Sequence, residues 1–550
     1  MLFFICPKIT SAQIFNDSQI LPPGHWIYDA LTLLSMEQKT VFFDENSMMS
    51  AAEIKYYFSQ LDYDILSQEG KNLYQKTKDF LFEHDSLIDL GPFRFDIDTD
   101  LALEFYYKSN PDIDWTFNYN YKNHLAVFPI KIGFSDYVTI ESDPFLGKSH
   151  YGASNPYNFT NVPYKYGDIE YLCCRFAYGS AGAAFNGWGV NANIGKEGFR
   201  IGNSKTGSII YNDTFETDAY FNLNLWTDYL KYSLDIIQIC NTNWMYIHEF
   251  CIRPHKTFKL SVLEGSMLNA PFELRYLNPF MIMHQFASWT QYENPSMFYK
   301  ENHFCAYLAG LFEWTPFPYF KLYGLYAQNE LQLPTERDKE GSLIPDSLGA
   351  QLGVDIQIPS DAMHGWWNYW AEVIYASPYL YIKQNPESSL YRTRGDNLVL
   401  DTMNTWIGTP FGPDCFGVKT GTKFKAGTKW SIGVNYLFLA KGEHDFSIFS
   451  RKDEVNSDIY DYYPITYYKL HETSSDAELY YNKALQDSRN MWLTGIPEYT
   501  NQIEIEANYN FTSKLSLSNK FVYTYIINNK HKVLNANGIE IDLSLTYNLF

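Results

Sequence analysis

The closing stretch of the chain, Gly538 to Phe550, reads GIEIDLSLTYNLF. Apolar side chains stand at Ile539, Ile541, Leu543, Leu545, Tyr547 and Leu549, and polar or small ones at Glu540, Asp542, Ser544, Thr546 and Asn548. A period of two sends successive side chains to opposite faces of a strand, here one apolar and one wet. A terminal strand with those faces suits a transmembrane barrel whose outside meets lipid and whose inside is polar. It also suits a recognition signal for a barrel assembly machinery, although Phe550 itself falls one residue out of the apolar phase.

Composition narrows the class further. The 550 residues are 46% hydrophobic, with a mean hydropathy of −0.30, and hold no run of about 18 apolar residues, so helical membrane spans are excluded. Aromatics reach 18%, with 46 Tyr and 40 Phe, which fits girdles at two membrane interfaces. The formal net charge of −21 argues against nucleic acid as a partner, because that requires a basic face. The start, MLFFICPKITSAQ, reads as the end of a signal peptide over residues 1–12, with Thr10-Ser11-Ala12 as the cleavage site before Gln13 and no basic n-region. Cys6 raises a lipoprotein alternative, against which Phe4 and Ile5 are too large for a normal lipobox. The other six cysteines match no zinc spacing and read as small apolar fillers, with one or two bridges permitted by export.

Residues 21–89 follow a helical period. Ile27, Ala30, Leu31 and Leu34 mark one helix. Ser50 and Glu53 form a capping box ahead of Ile54, Tyr57, Phe58 and Leu61, and Leu66, Leu73, Phe80 and Leu81 mark a third helix. A periplasmic helical domain or simple plug is expected there. At Gly91-Pro92 the period changes to two. Phe93, Phe95, Ile97, Leu101, Leu103, Phe105 and Tyr107 alternate with Arg94, Asp96, Asp98, Asp100, Ala102 and Glu104, which predicts the first barrel strand. Similar runs lie at Trp115–Lys122, around Val138, Leu223, Phe258, Phe320, Leu348, Trp367, Trp430, Ile503 and Leu515, and in the final stretch. The expected fold is an all-β transmembrane β-barrel over 91–550, with about 18 antiparallel strands and a small N-terminal α-helical bundle. Lys441–Trp492, Lys383–Pro413 and Pro144–Tyr178 are candidate outer loops.

No nucleophile elbow, zincin helix, P-loop or dinucleotide fingerprint occurs. Outer-membrane hydrolases can hide a Ser/His or Asp/His site with no local signature, but the expectation here is neither an enzyme nor a cofactor. Asp96, Asp98 and Asp100 share one strand face. They suit a cation, or a wet lumen ladder paired with basic neighbours. In Trp366-Trp367-Asn368-Tyr369-Trp370, Trp367 and Tyr369 fit a lipid-side girdle. Trp366 and Trp370 then point inward, where a ring can stack on a sugar, unless both phases are simply interfacial.

The N-terminal HWIYDALTLL and SAAEIKYYFSQL resemble the opening of the capsule-assembly Wzi family. So do LEGSMLNAPFELRYLNPFMIMHQF (Leu263–Phe286), FKLYGLYAQNELQLP (Phe320–Pro334), GAQLGVDI (Gly349–Ile356) and WAEVIYASPYLY (Trp370–Tyr381). The resemblance implies an outer-membrane barrel of about 18 strands with a periplasmic helical bundle, holding capsular or other surface polysaccharide at the cell exterior. Within the matching segments, Glu264, Arg275, Asn278, Glu330 and Gln351 are candidate ligand residues. Arg275 offers a planar fork for uronate carboxylates. Asn278 before Pro279 also reads as a turn, and Glu264 before Gly265 as a kink. The expected partners are surface polysaccharide and outer-membrane lipid. A porin or substrate-specific channel is the rival reading, and a barrel hydrolase the third. An acidic glycan would need a local basic patch, such as Arg392 and Arg394, or a bridging cation.

Overall fold

A computed structural model of the chain describes residues 14–549 except 47, 84–85, 112, 114–122, 148–157, 164–169, 197, 214–217, 241, 281, 284–303, 336, 339, 396–401 and 452–460. The expected signal peptide, the expected strand Trp115–Lys122 and Phe550 lie outside the described residues. Antiparallel strands close into an 18-stranded barrel. Strand β1 runs Phe93–Ile97 and, after a break at Asp98 and Thr99, Asp100–Lys108; β2 is Ala126–Val127 with Ile130–Phe134, and β3 is Val138–Gly147. Next come β4 (Glu170–Phe185), β5 (Trp188–Lys196), β6 (Ala219–Thr227), β7 (Leu230–Gln238), β8 (Asn243–His255) and β9 (Phe258–Asn269). They are followed by β10 (Phe304–Trp314), β11 (Phe320–Glu330), β12 (Ser347–Ser360), β13 (Gly365–Ala376) and β14 (Cys415–Ala426). The last four are β15 (Trp430–Lys441), β16 (Glu498–Asn510), β17 (Leu515–Ile527) and β18 (Ala536–Asn548). Strand β18 pairs with β1, Leu545 opposite Leu103, and this seals the wall. Among the described residues no helix is long and apolar enough to cross a membrane.

The faces follow the alternation. Leu101, Leu103, Phe105 and Tyr107 are exposed on the outer wall, while Ala102, Glu104, Tyr106 and Lys108 are buried inside. Asp96 stands opposite Lys131 in register, and the Asn548 amide donates to Asp98 at 3.0 Å and to Asp100 at 2.9 Å. These carboxylates are therefore a paired ladder, and no metal-holding cluster occurs among the described residues. Two aromatic bands ring the same sector of wall. Trp367 lies 4.9 Å from Phe424, and Phe424 5.2 Å from Trp430; at the other end Trp492 lies 6.2 Å from Tyr375 and 5.8 Å from Phe416. Rings at two heights suit the two interfaces of a membrane.

Short turns, such as 186–187, 228–229 and 427–429, sit at the end where β1 starts and β18 finishes, and the long connections sit at the other end. The N-terminal segment enters the short-turn end. Its helices are α1 (Trp26–Glu37), α2 (Ala51–Phe58) and α3 (Gln68–Phe82). They and the segments between them pack around one core, which the barrel wall completes. α1 packs on α3, and Ile27, Leu31, Phe43, Ile54 and Tyr57 share a core with Trp226 and Cys251 of the barrel wall. Only half of the expected capping box forms. The Ser50 hydroxyl accepts from the Glu53 amide at 3.3 Å, but the Glu53 carboxylate turns to Lys231 of β7 at 2.8 Å, both side chains fully buried. Lys259 of β9 binds Asp44, Glu45 and the Phe42 carbonyl in the same way. The segment is a plug fixed by buried ion pairs.

At the loop end the lumen is packed with apolar side chains. Residues 198–213 fold inward, placing Ile209, Ile210 and Tyr211 against Tyr307, Tyr323, Leu325, Tyr381 and Trp406. The three expected outer loops all fall in connections at the long-loop end, with bounds and contents that differ from the sequence reading. Pro144–Tyr178 is partly strand, because β3 runs to Gly147 and β4 starts at Glu170. Within Lys383–Pro413, Arg392 is buried and pairs with Asp218 at 3.0 Å, so it offers no surface patch; the Arg394 side chain lies outside the described residues. Lys441–Trp492 holds two helices, α4 (Pro464–His471) and α5 (Ala477–Ser488), with Tyr462, Tyr463 and Tyr468 buried beneath them. The described cysteines at 174, 240, 251, 305 and 415 are free, and the last three are buried fillers.

Candidate functional site

Strand β13 begins at the short-turn end, and its inner phase carries Trp366, Asn368 and Trp370. The register of β14 sets Lys425 opposite Trp366, Lys423 opposite Asn368, and Gly421 opposite Trp370. A side chain at Gly421 is excluded by the indole, which would come within 2.5 Å of its Cβ. The ammonium groups of Lys205 and Lys419 stand 5.7 and 5.8 Å from the Trp370 ring centroid. Lys205 comes from the infolded segment and also pairs with Asp355 at 3.2 Å, which in turn accepts from Asn368 at 3.2 Å.

Lys205, Asp355, Trp366, Asn368, Trp370, Lys423 and Lys425 help wall a cavity of about 700 Å³ between α1 and the inner faces of β11 to β16. Its lining carries seven basic side chains (Lys76, Arg200, Lys205, Lys321, Lys423, Lys425 and Lys429) against three acidic ones, Asp29, Asp44 and Asp355. Lys423 meets Glu506 at 3.5 Å and Lys425 meets Asp29 at 3.8 Å, both on partly exposed side chains. Lys76 lies 4.4 Å over the Trp26 ring. His25, at the rim, caps α1 by accepting from the Ile27 amide at 3.3 Å; burial, then Lys131 and Lys76, push its pKa down to about 4, which keeps it an uncharged acceptor.

A second, smaller cavity of about 390 Å³ lies in the outer cap, lined by Tyr379, His444, Arg451, Tyr467, Lys483 and Asp487 among others. Burial holds His444 below the ordinary histidine range, with Asp414 pulling the other way. Its Nδ1 faces the Pro378 carbonyl at 3.0 Å, and the Asp414 carboxylate accepts from the His444 and Thr494 amides, so these groups brace the loop. Above them Tyr467, His471 and Tyr480 form a partly exposed ring cluster, with His471 stacked 4.0 Å from Tyr480.

The residues singled out from the sequence do not converge. Trp366 and Trp370 share the inner cavity. Gln351 is buried in the lumen, where its amide accepts from the Ile209 amide at 2.9 Å and donates to the Thr206 hydroxyl at 2.7 Å. Glu330 pairs with Lys383 at the outer mouth and accepts from Gln332. Glu264 lies in the outward phase of β9, opposite His248. Arg275 pairs with Glu273 at 3.2 Å in a short turn, Leu274–Leu277, whose Tyr276 packs on Tyr246 of the outer wall. Asn278 accepts from the Phe280 amide at 3.1 Å, which is turn chemistry. Sequence reasoning missed Glu372, whose carboxylate accepts from the Lys205 and Thr206 amides and the Tyr323 hydroxyl and so clamps the infolded segment. It also missed the cavity lysines, although Lys423, Lys425 and Lys429 recur at odd positions of one stretch, a legible sign of a basic face.

No family model and no curated protein matches the chain. Among solved structures, Wzi, an outer-membrane protein involved in group 1 capsule assembly in Escherichia coli and a carbohydrate-binding β-barrel, aligns with a TM-score of 0.54 at 11% identity, over 96% of this chain and 99% of that one. OprD of Pseudomonas aeruginosa aligns at 0.38 and 10% identity, over 82% and 95%, and OccK5 (OpdH) of the same organism at 0.40 and 7%, over 83% and 99%. The fold is thus that of an outer-membrane β-barrel, with the overall form seen in Wzi.

Proposed function

We propose that this protein is a non-enzymatic outer-membrane barrel that holds capsular or other surface polysaccharide at the cell exterior. Lipid covers its wall, a barrel assembly machinery inserts it, and the short-turn end faces the periplasm. The observation that carries this reading is the packed loop end. Infolded apolar residues around Tyr211, Tyr307 and Tyr381 fill the lumen beneath α4 and α5. A porin works through a continuous wet path at that level, whereas an anchor works through a built outer surface. The likeness of form to a carbohydrate-binding barrel supports the same choice.

The half-exposed cluster of Tyr467, His471 and Tyr480 supplies ring faces for the apolar faces of sugars, and the phenol hydroxyls reach sugar edges. With Arg392 buried, local positive charge comes from Lys483, 4.6 Å from the Tyr467 ring, and from Lys469. The test is retention of labelled surface polysaccharide on cells carrying the intact protein or a form lacking residues 464–488. Loss of retention, with the shortened barrel confirmed at the surface, supports the reading. Equal retention removes the outer cap from it.

A further inference from the structure

We propose that the cavity at the short-turn end is a second binding site, for an acidic saccharide reaching the protein from that side of the membrane. Its chemistry differs from that of the chain as a whole. The protein carries a formal charge of −21, yet seven cations face three carboxylates around this one space. Lumen neutralisation accounts for most of the lysine set, since Lys205, Lys321, Lys423 and Lys425 have acidic neighbours. It leaves a surplus. Lys76 and Lys429 make no ion pair among the described residues, and both line the cavity. A concave surface of one sign focuses its field and draws in counter-charge.

The rest of the lining points from a bare anion to a sugar. Asn203, Gln357, Asn368, Asn508 and Asn510 offer amides that donate and accept, as vicinal hydroxyls require. The indoles of Trp26 and Trp366 add apolar walls of the kind that sugar ring faces cover. At about 700 Å³ the space falls within the roughly 300–1,000 Å³ of small-ligand sites. It is also reachable. The rim includes Gly24 and the turn at Gly427, and a Cβ at either glycine would meet nothing within 4 Å. The outer cap and this cavity lie at opposite ends of the lumen, with the segment held by Gln351 and Glu372 between them. The inference therefore stands apart from the outer-surface reading.

The experiment is calorimetric titration of the full chain in detergent with a hyaluronan tetrasaccharide, which alternates glucuronate and N-acetylglucosamine. Chitotetraose serves as the neutral match and inorganic phosphate as the bare anion. Binding of the acidic tetrasaccharide should exceed both controls and weaken with salt. It should fall about threefold in Lys429→Gln and about thirtyfold in Lys423→Gln/Lys425→Gln/Lys429→Gln, at a fraction of a kcal/mol per partly screened charge. The single turn variant leaves the strands intact and keeps the test valid if the triple variant misfolds. No binding, equal binding of chitotetraose or phosphate, or binding unchanged by these substitutions would overturn the proposal. The last result would place the site elsewhere on the protein.

Discussion

Replacing Lys231 with methionine should loosen the plug without opening the barrel wall. In the native protein the Lys231 ammonium lies 2.8 Å from Glu53 and 3.1 Å from the Phe43 carbonyl, with both charged side chains fully buried. Removing one partner of such a pair costs about 3–5 kcal/mol, because the other charge stays buried without compensation. Burial already raises the Glu53 pKa, against the pull of Lys231, so in the variant the carboxylate takes up a proton, which limits the loss to about 3 kcal/mol at neutral pH. Hydrogen exchange of the α2 amides, Ile54 to Phe58, reads that loss directly as about a hundredfold faster exchange. A raised carboxylate pKa means that the docked state binds the proton more tightly, so the variant's deficit should grow as pH rises above the ordinary Glu value and shrink below it. Lys231→Met/Glu53→Gln, which leaves no charge, should recover most of the protection. Unchanged exchange in the single variant, or a double variant as open as the single, would refute the argument that this pair fixes the plug.

Three further outcomes are expected. Leu103→Lys, on the lipid face near the middle of β1, should cost about 2–4 kcal/mol in folding into vesicles, whereas Asp98→Asn should be mild; equal effects would mean the faces are reversed. His25 has a pKa of about 4 in the docked state against 6.5 unfolded, so docking is at full strength above pH 6.5 and loses roughly 3 kcal/mol as pH falls to 4; α1 exchange at both pH values measures this, and His25→Asn should flatten the dependence. Glu372→Gln with Gln351→Leu should release residues 200–212, since bonds to a charged acceptor contribute about 1.5–3 kcal/mol each; limited proteolysis within that segment is the readout.

The sequence showed most where the two faces of a strand differ most. β1, β15 and β18 alternate cleanly because lipid lies on one side and polar lumen on the other. β10 does not, since its inner Cys305, Tyr307, Ala309 and Leu311 meet the infolded apolar segment, which makes both of its faces apolar. β8 fails for the same reason at Met245 and Ile247. In β14 the outward Thr420 and Thr422 are polar and the inward residues are lysines, so the contrast fades. The inward phase of Trp366 and Trp370 could be read from their neighbours, as could helices near 26–37 and 51–58. The plug's dependence on the barrel wall could not, because Glu53–Lys231 and Lys259–Glu45 join positions far apart in the chain, which no local period links. The same holds for Arg392, whose burial depends on Asp218.

Conductance of the purified protein in a planar bilayer bears most directly on the central claim, that this barrel works at its surfaces and not as a conduit. With the plug fixed by buried ion pairs and the loop end packed around Tyr211 and Tyr381, the account predicts no steady current in the native protein, and current only in a variant that joins Lys231→Met, which loosens the plug, to Glu372→Gln/Gln351→Leu, which releases the infolded segment. Porin-like conductance from the native protein would contradict it and replace the anchoring reading with a channel.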